Sequence, residues 1–470
     1  MDIFRKKSIG CMHRGIESKS LRRTLGAMDL ILLGIGCVIG TGIFVLTGIA
    51  AAKYAGPGIM ISFLISGIAC IFTALAYAEL ASAVPASGTV YAYSYISLGE
   101  VFAWLAGWSL ILEYSVGASA VAAGWSGYFS ELVSSAGIRL PEMLTKIPAD
   151  GGYVNLPAVM IVLFITMLLI SGTKESVTVN KILVMVKLAV IFIFLVLATP
   201  RIDPSNWKDL MPFGLLGVAQ GASIIFFAYN GFDAAATAAE ECRNPNRDLP
   251  LGIIGSLLIC TALYMLVAAV LTGVIPYTML GTAAPVTFAL NFIGQNIGAA
   301  IVGTGAIAGI TTVLLVLMFG QSRVLFAMSR DGLIPEGICK VHHKFGTPHV
   351  IIMIVGASVS MAAGFMPMSD MAELANIGVL FVFVLAAVGV LVLRIKNPDL
   401  KRPFRCPALP LISLAAVFSC SYLIFSLSTG TWLKFGLWCL VGLLVYFGYS
   451  YHKSRLNSDK APAHRHLKPD

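Results

Sequence analysis

Along this chain, runs of about 20 apolar residues alternate with short polar stretches, the pattern of helices that cross a bilayer. Twelve such runs fall near 27–51, 57–83, 100–130, 156–172, 178–199, 213–238, 250–274, 297–328, 349–366, 372–393, 410–428 and 432–450. Two of them are broken in their middles by glycine. The first contains Gly34-Ile35-Gly36-Cys37-Val38-Ile39-Gly40-Thr41-Gly42-Ile43-Phe44, and the sixth contains Phe226-Phe227-Ala228-Tyr229-Asn230-Gly231-Phe232-Asp233. A membrane helix that stops bonding to itself leaves bare N–H and C=O groups, tolerable only where protein or a solvated ligand satisfies them. Paired breaks at matching places in two halves of a chain mark a transporter binding site.

The same pattern predicts an all-α integral membrane protein of twelve transmembrane helices. Helices 1–5 (27–199) and 6–10 (200–393) form two units, and because five is odd the second enters the membrane from the opposite face. The result is a five-plus-five inverted repeat with broken helices 1 and 6. Residues 1–26 form a cytoplasmic N-terminal segment, 394–452 hold helices 11 and 12, and the polar tail 453–470 is expected to be disordered. The segment from Pro85 to Tyr93 is too short and polar to cross, and reads as an interfacial helix or a re-entrant piece.

Composition agrees. Of 470 residues, 58% are hydrophobic and 12% charged, and the mean hydropathy is +0.87. The net charge of +9 is a topology signal and not a nucleic-acid footprint. Most Lys and Arg lie on one set of alternate loops, which puts both termini on the cytoplasmic side of the cell membrane. The basic N-terminal stretch leads straight into the first span, so no cleaved signal peptide is expected. None of the nine cysteines is left outside to form a disulfide, and no spacing resembles a metal site. The gaps between spans, at most about 25 residues, cannot bury a core of their own.

A half-helix beginning at Gly42 directs its free N–H groups and positive dipole end into the break at Gly40 and Thr41, an anion cradle. Gly40 and Gly42 also suit close helix packing. The broken sixth helix offers unwound carbonyls around Phe227, Ala228 and Tyr229 as acceptors for an ammonium group. Phe232 follows the break, as a gate or as core packing. Asp233 stands where it caps the next half-helix. Glu113 lies near mid-membrane in the third span, where an ionisable group is expensive and seldom idle. It lines a side-chain pocket, or is protonated and bonded to a neighbouring helix. Met318 is a weaker pocket candidate that fits core packing equally well. Glu79, Glu240 and Glu241 sit near cytoplasmic span ends and are expected to be solvated. Asp29 is a first-turn acid favoured by the helix dipole.

Lys187 stands about eight residues into the fifth span, some 12 Å along the axis, so snorkelling rescues its charge only in part. Desolvation disfavours the charged form and brings proton exchange into reach, unless the amine is permanently paired.

At three stretches the chain resembles the amino acid-polyamine-organocation superfamily, and within it bacterial members of the cationic amino acid transporter family. These are Gly36 to Phe44, then Phe226 to Asp233 followed by Ala238-Ala239-Glu240-Glu241, and Gln321-Ser322-Arg323 with Ala327 to Gly332. The resemblance implies a leucine-transporter-like fold. It implies that the stretch Val38, Ile39, Gly40, Thr41 and Gly42 holds a substrate carboxylate on backbone amides, and that Phe227, Ala228 and Tyr229 receive the ammonium. It also implies that Lys187 takes the place where sodium-coupled relatives bind sodium, with a proton as coupling ion and no other cofactor.

The expected activity is proton-coupled import of an L-amino acid, cationic or small and neutral, by alternating access. An exchanger of amino acids or amines is the alternative on the same fold. A membrane-embedded enzyme would need convergent catalytic groups, yet every histidine lies in a cytoplasmic segment or at a span end. A channel would need pore-lining polar rings or filter repeats, and neither is present.

Overall fold

The computed structural model describes residues 4–7, 25–83, 90–138, 140–172, 177–233, 242–342 and 345–456. Among these the chain is helical, and its one strand-like pairing is a parallel bridge between Leu25 and Cys242. The first apolar run is divided. Helix α1 (Ala27–Val38) opens with the Asp29 carboxylate accepting from Gly26 N–H at 3.0 Å, which puts an acid in the positive first turn. After a break at residues 39–41, Gly42–Leu46, Thr47–Ala50 and Ala51–Ala55 follow end to end as α2, with wide π turns at both ends. Gly56, at φ +59°, then ends α2 in a conformation that only glycine adopts freely. Helix α3 (Ile59–Ala83) follows.

Helix α4 (Val90–Ser97) is buried at every residue. It therefore sits inside the protein, not on an interfacial surface, because its side chains are enclosed by other segments: Tyr93 packs against Tyr77 of α3 and the Tyr91 hydroxyl donates to Asp331 at 2.8 Å. The scaffold continues through α5 (Glu100–Ser135), α6 (Leu156–Ser171) and α7 (Val177–Ala198). The second half starts with α8 (Gly214–Ile225), which tightens into a 3-10 turn, Phe226–Tyr229, before the chain leaves the helix at Asn230. Next come α9 (Pro245–Val274), α10 (Pro285–Phe292), α11 (Asn296–Arg330), α12 (His349–Phe365), α13 (Met368–Lys396), α14 (Leu409–Phe425) and α15 (Thr429–Val445).

Seven of the described helical runs are long and apolar enough to cross a membrane, and five more apolar helices have 10–17 residues. Phe164, Phe192, Leu215, Phe418, Leu433 and Leu444, on five different helices, are each more than half exposed. Apolar surface on that scale is a liability in water and is matched by hydrocarbon. Inside, small residues let helices approach closely: a Cβ on Gly305 of α11 would come within 2.1 Å of Val190 on α7, and one on Gly309 within 3.1 Å of the Lys187 stem.

Glu79 corrects a sequence expectation. It is fully buried and not solvated, because its charge is paired. Arg394 forks onto both carboxylate oxygens, Arg402 Nε lies 3.5 Å away, and Cys406 N–H donates at 2.8 Å. Of the expected tail, Lys453 ends a short helical turn and Ser454 donates to Glu100 at 2.5 Å. Residues 457–470 lie outside the described residues, as do Pro85, Glu240 and Glu241.

Candidate functional site

The two breaks meet. A Cβ added to Gly42 would lie 2.3 Å from Cα and Cβ of Ala228, and one added to Gly231 would lie 2.9 Å from the Cys37 carbonyl oxygen. The backbones touch at these places, so a side chain has no room. Gly231 also has φ +107°, a second reason for glycine there.

Freed backbone groups find partners from the surrounding helices, as a low-dielectric setting requires. In an unbroken helix the carbonyl of Gly36 would accept from Gly40 and that of Val38 from Gly42. Instead Lys187 Nζ donates to the Gly36 carbonyl at 2.7 Å. The Tyr264 hydroxyl of α9 lies 2.9 Å from the carbonyls of both Val38 and Ala228, sharing its one proton between the two breaks. Tyr128 donates to the Phe44 carbonyl at 2.7 Å. At the end of α8, the Asn376 amide donates to the carbonyls of Ser223 and Ile224 at 2.7 and 2.8 Å.

Between the breaks lies a small cavity of about 20 Å³, room for roughly one water. The first break lines it with Cys37, Val38, Gly40, Thr41 and Gly42, and the second with Phe227 and Asn230. Helix α5 adds Glu113, Gly117 and Val121, and α11 adds Val313 and Leu317. Three of its polar side chains carry an atom that is buried without a hydrogen-bond partner: Thr41 Oγ1, Glu113 Oε2 and Asn230 Oδ1. Such orphans are rare in folded proteins and call for an explanation. A space this small admits a solute only when its walls part.

Of the residues singled out from sequence, Val38, Gly40, Thr41, Gly42, Glu113 and Phe227 line the cavity together. Ile39 is fully buried beside the break, outside the lining. Ala228 is the backbone contact of Gly42, and its carbonyl already faces Tyr264. The Phe227 carbonyl accepts from Asn230 N–H at 3.2 Å. Tyr229 is fully buried outside the lining, its hydroxyl donating to the Phe63 carbonyl of α3 at 2.8 Å. Phe232 is wedged between Tyr77 and Phe383, with ring centroids 6.4 and 5.1 Å away, and Phe227 is the aromatic side chain that reaches the cavity. Met318 is buried away from the lining, one residue past Leu317. Asp233 is half-buried at the last described residue before the gap. Lys187 does not line the cavity. It is buried between α1 and α11, one residue removed from the lining through Gly36 and Cys37.

Sequence reasoning did not name Tyr264 or Asn376, and it quoted Asn230 in the break motif without placing it among the site residues. Asn230 stands inside the break motif, and a polar residue there was the available signal. Tyr264 and Asn376 sit in apolar spans where an uncompensated polar group is costly. Their partners are carbonyls from distant helices, which no local pattern names.

A family model described as amino acid permease matches residues 25–448. The branched-chain amino acid permease BcaP of Bacillus subtilis (strain 168) is 50% identical over 461 residues, 97% of this chain and 99% of that protein. A methylthioribose transporter of the same organism is 47% identical over 457 residues, again 97% and 99%. The vacuolar cationic amino acid transporter 4 of Arabidopsis thaliana is 36% identical over 407 residues, 84% of this chain and 68% of that protein. With its belt of exposed apolar helices the chain is a multi-pass membrane transporter and not an enzyme. It belongs to the amino acid permease family of the amino acid-polyamine-organocation superfamily.

Proposed function

We propose that this protein is a proton-coupled secondary transporter that imports L-amino acids across the cell membrane by alternating access. In this reading twelve helices span the bilayer with both termini cytoplasmic. Residues 27–199 and 200–393 form the inverted repeat, and helices 11 and 12 follow it. The observation that carries the reading is the meeting of two broken helices around a cavity with unpartnered polar atoms. The amides at the start of α2 receive the substrate carboxylate, the second break faces the ammonium, and Glu113 faces the side chain. Because the cavity holds only about one water, α1 and the end of α8 move apart from α5 and α11 to admit substrate.

The coupling group in this proposal is Lys187. Its ammonium is tied to the carbonyl freed by the first break and its stem rests on Gly309 of α11, so it joins the moving half-helix to the scaffold. A neutral amine makes the weaker bond, so protonation state and conformation are linked, and each shifts the other. The relative named as a methylthioribose transporter adds that sugar to the substrates to be compared.

The experiment is uptake into liposomes by purified protein, with and without an inward proton gradient, across a panel of amino acids, their amides, their decarboxylated amines and methylthioribose. Gradient-driven accumulation of amino acids, with poor competition by amides and amines, is the expected result. Accumulation of free amines or of methylthioribose in place of amino acids would overturn it.

A further inference from the structure

Asn230 is a polar side chain whose presence the fold itself does not explain. Its backbone has φ −57° and ψ 136°, an extended conformation open to any residue, so the left-handed geometry that often selects asparagine is absent. Its N–H closes the 3-10 turn on Phe227, a bond that every residue except proline can make. Its side chain lines the cavity, and its Oδ1 has no partner. Thr41 Oγ1, on the facing break and in the same lining, is likewise buried and unpartnered. Glu113 apart, Val121, Phe227, Val313 and Leu317 make the remaining wall largely apolar, and the space is small.

We propose that Asn230 is a specificity-determining residue, and that the preferred substrates are small amino acids whose side chain carries a hydroxyl or another hydrogen-bond donor near Cβ. This rests on the amino acid transport proposed above and narrows its substrate class. Threonine meets both walls, its hydroxyl donating to the Asn230 carboxamide while its methyl group packs on the apolar side. Valine has the same shape with a second methyl group in place of the hydroxyl. It fills the same space and leaves the Asn230 and Thr41 groups dry and unpaired, a penalty that hydrogen-bonding sites impose on analogues lacking the polar atom. The Glu113 carboxyl, on α5, is the third unpartnered group and adds polarity to the same lining.

The test is competition against labelled threonine in liposomes carrying the full-length protein, with unlabelled threonine and valine compared, and serine compared with 2-aminobutyrate as a second isosteric pair. In the wild-type protein the hydroxylated member of each pair is expected to compete roughly tenfold better. Asn230→Leu, close to asparagine in size, should bring the ratio to about one or reverse it, while Asn230→Asp, which keeps an acceptor, should retain the hydroxyl preference. Equal or better competition by valine and 2-aminobutyrate in the wild type would overturn the assignment, and needs no variant to fold. A hydroxyl preference that survives in Asn230→Leu would overturn it as well. If amino acids are transported but these ratios fail, the specificity proposal alone falls. If folded protein moves no amino acid, the proposed function falls and takes the specificity with it.

Discussion

Gly42→Ala tests whether the two breaks touch. The added Cβ would stand 2.3 Å from Cα and Cβ of Ala228, roughly 1.5 Å inside an ordinary carbon–carbon contact. The obstacle is backbone and a methyl stub with no rotamer to change, so the half-helices must separate. Overpacking of this kind costs about 1–3 kcal/mol, and backbone contact places this case near 3. Against it, alanine improves helix propensity over glycine by up to about 1 kcal/mol. The clash wins by ~2 kcal/mol. Carried by the closed arrangement alone, that penalty slows uptake about 30-fold.

Two other glycines calibrate the measurement. A Cβ on Gly40 would meet only the end of the Val313 side chain, at 2.8 Å, and Gly436 on α15 has nothing within 4 Å. Uptake rate and thermal unfolding in detergent should therefore fall in the order Gly436→Ala, Gly40→Ala, Gly42→Ala, with the first close to wild type. Wild-type uptake by Gly42→Ala would refute the contact between breaks and the closed cavity built on it.

Lys187→Ala should lose uphill uptake under a proton gradient, because the tie to the Gly36 carbonyl disappears, while substrate exchange persists at a lower rate. Concentrative uptake with unchanged proton stoichiometry would move the coupling site elsewhere. Glu113→Gln should change the ratio of cationic to neutral substrates bound in a competition panel, since its Oε2 is unpartnered in the cavity lining. Loss of folding without a change of ratio would mark it as a structural group. Glu79→Gln should destabilise by about 3 kcal/mol, because Arg394 and the nearly enclosed Arg402 lose their counter-charge. Thermal unfolding measures it, and an unshifted midpoint would show that the pairing contributes little.

The sequence by itself determined the class, the all-helical apolar character of the chain and the places where two of its helices fail. Those features are local: apolar length sets a span, and Gly40 and Gly42 stop a helix within its own residues. The family followed from the same break motifs, and the polar, ionisable residues Glu113 and Lys187 were visible because charge is expensive in an apolar run. The tertiary structure alone decided which side chains share the cavity. Helical phase fixes that choice: within α11, Leu317 faces the cavity and Met318, one residue and about 100° further round, does not. Likewise Phe227 faces it while Phe232 packs on Tyr77 and Phe383. The partners of the broken ends, Tyr264 and Asn376, come from helices far along the chain. Their roles depend on three-dimensional proximity to freed carbonyls, which a linear pattern of apolar and polar residues does not contain. Glu79 makes the same point at a span end, where its depth in the sequence suggested water and two arginines from a distant segment supplied the pairing instead.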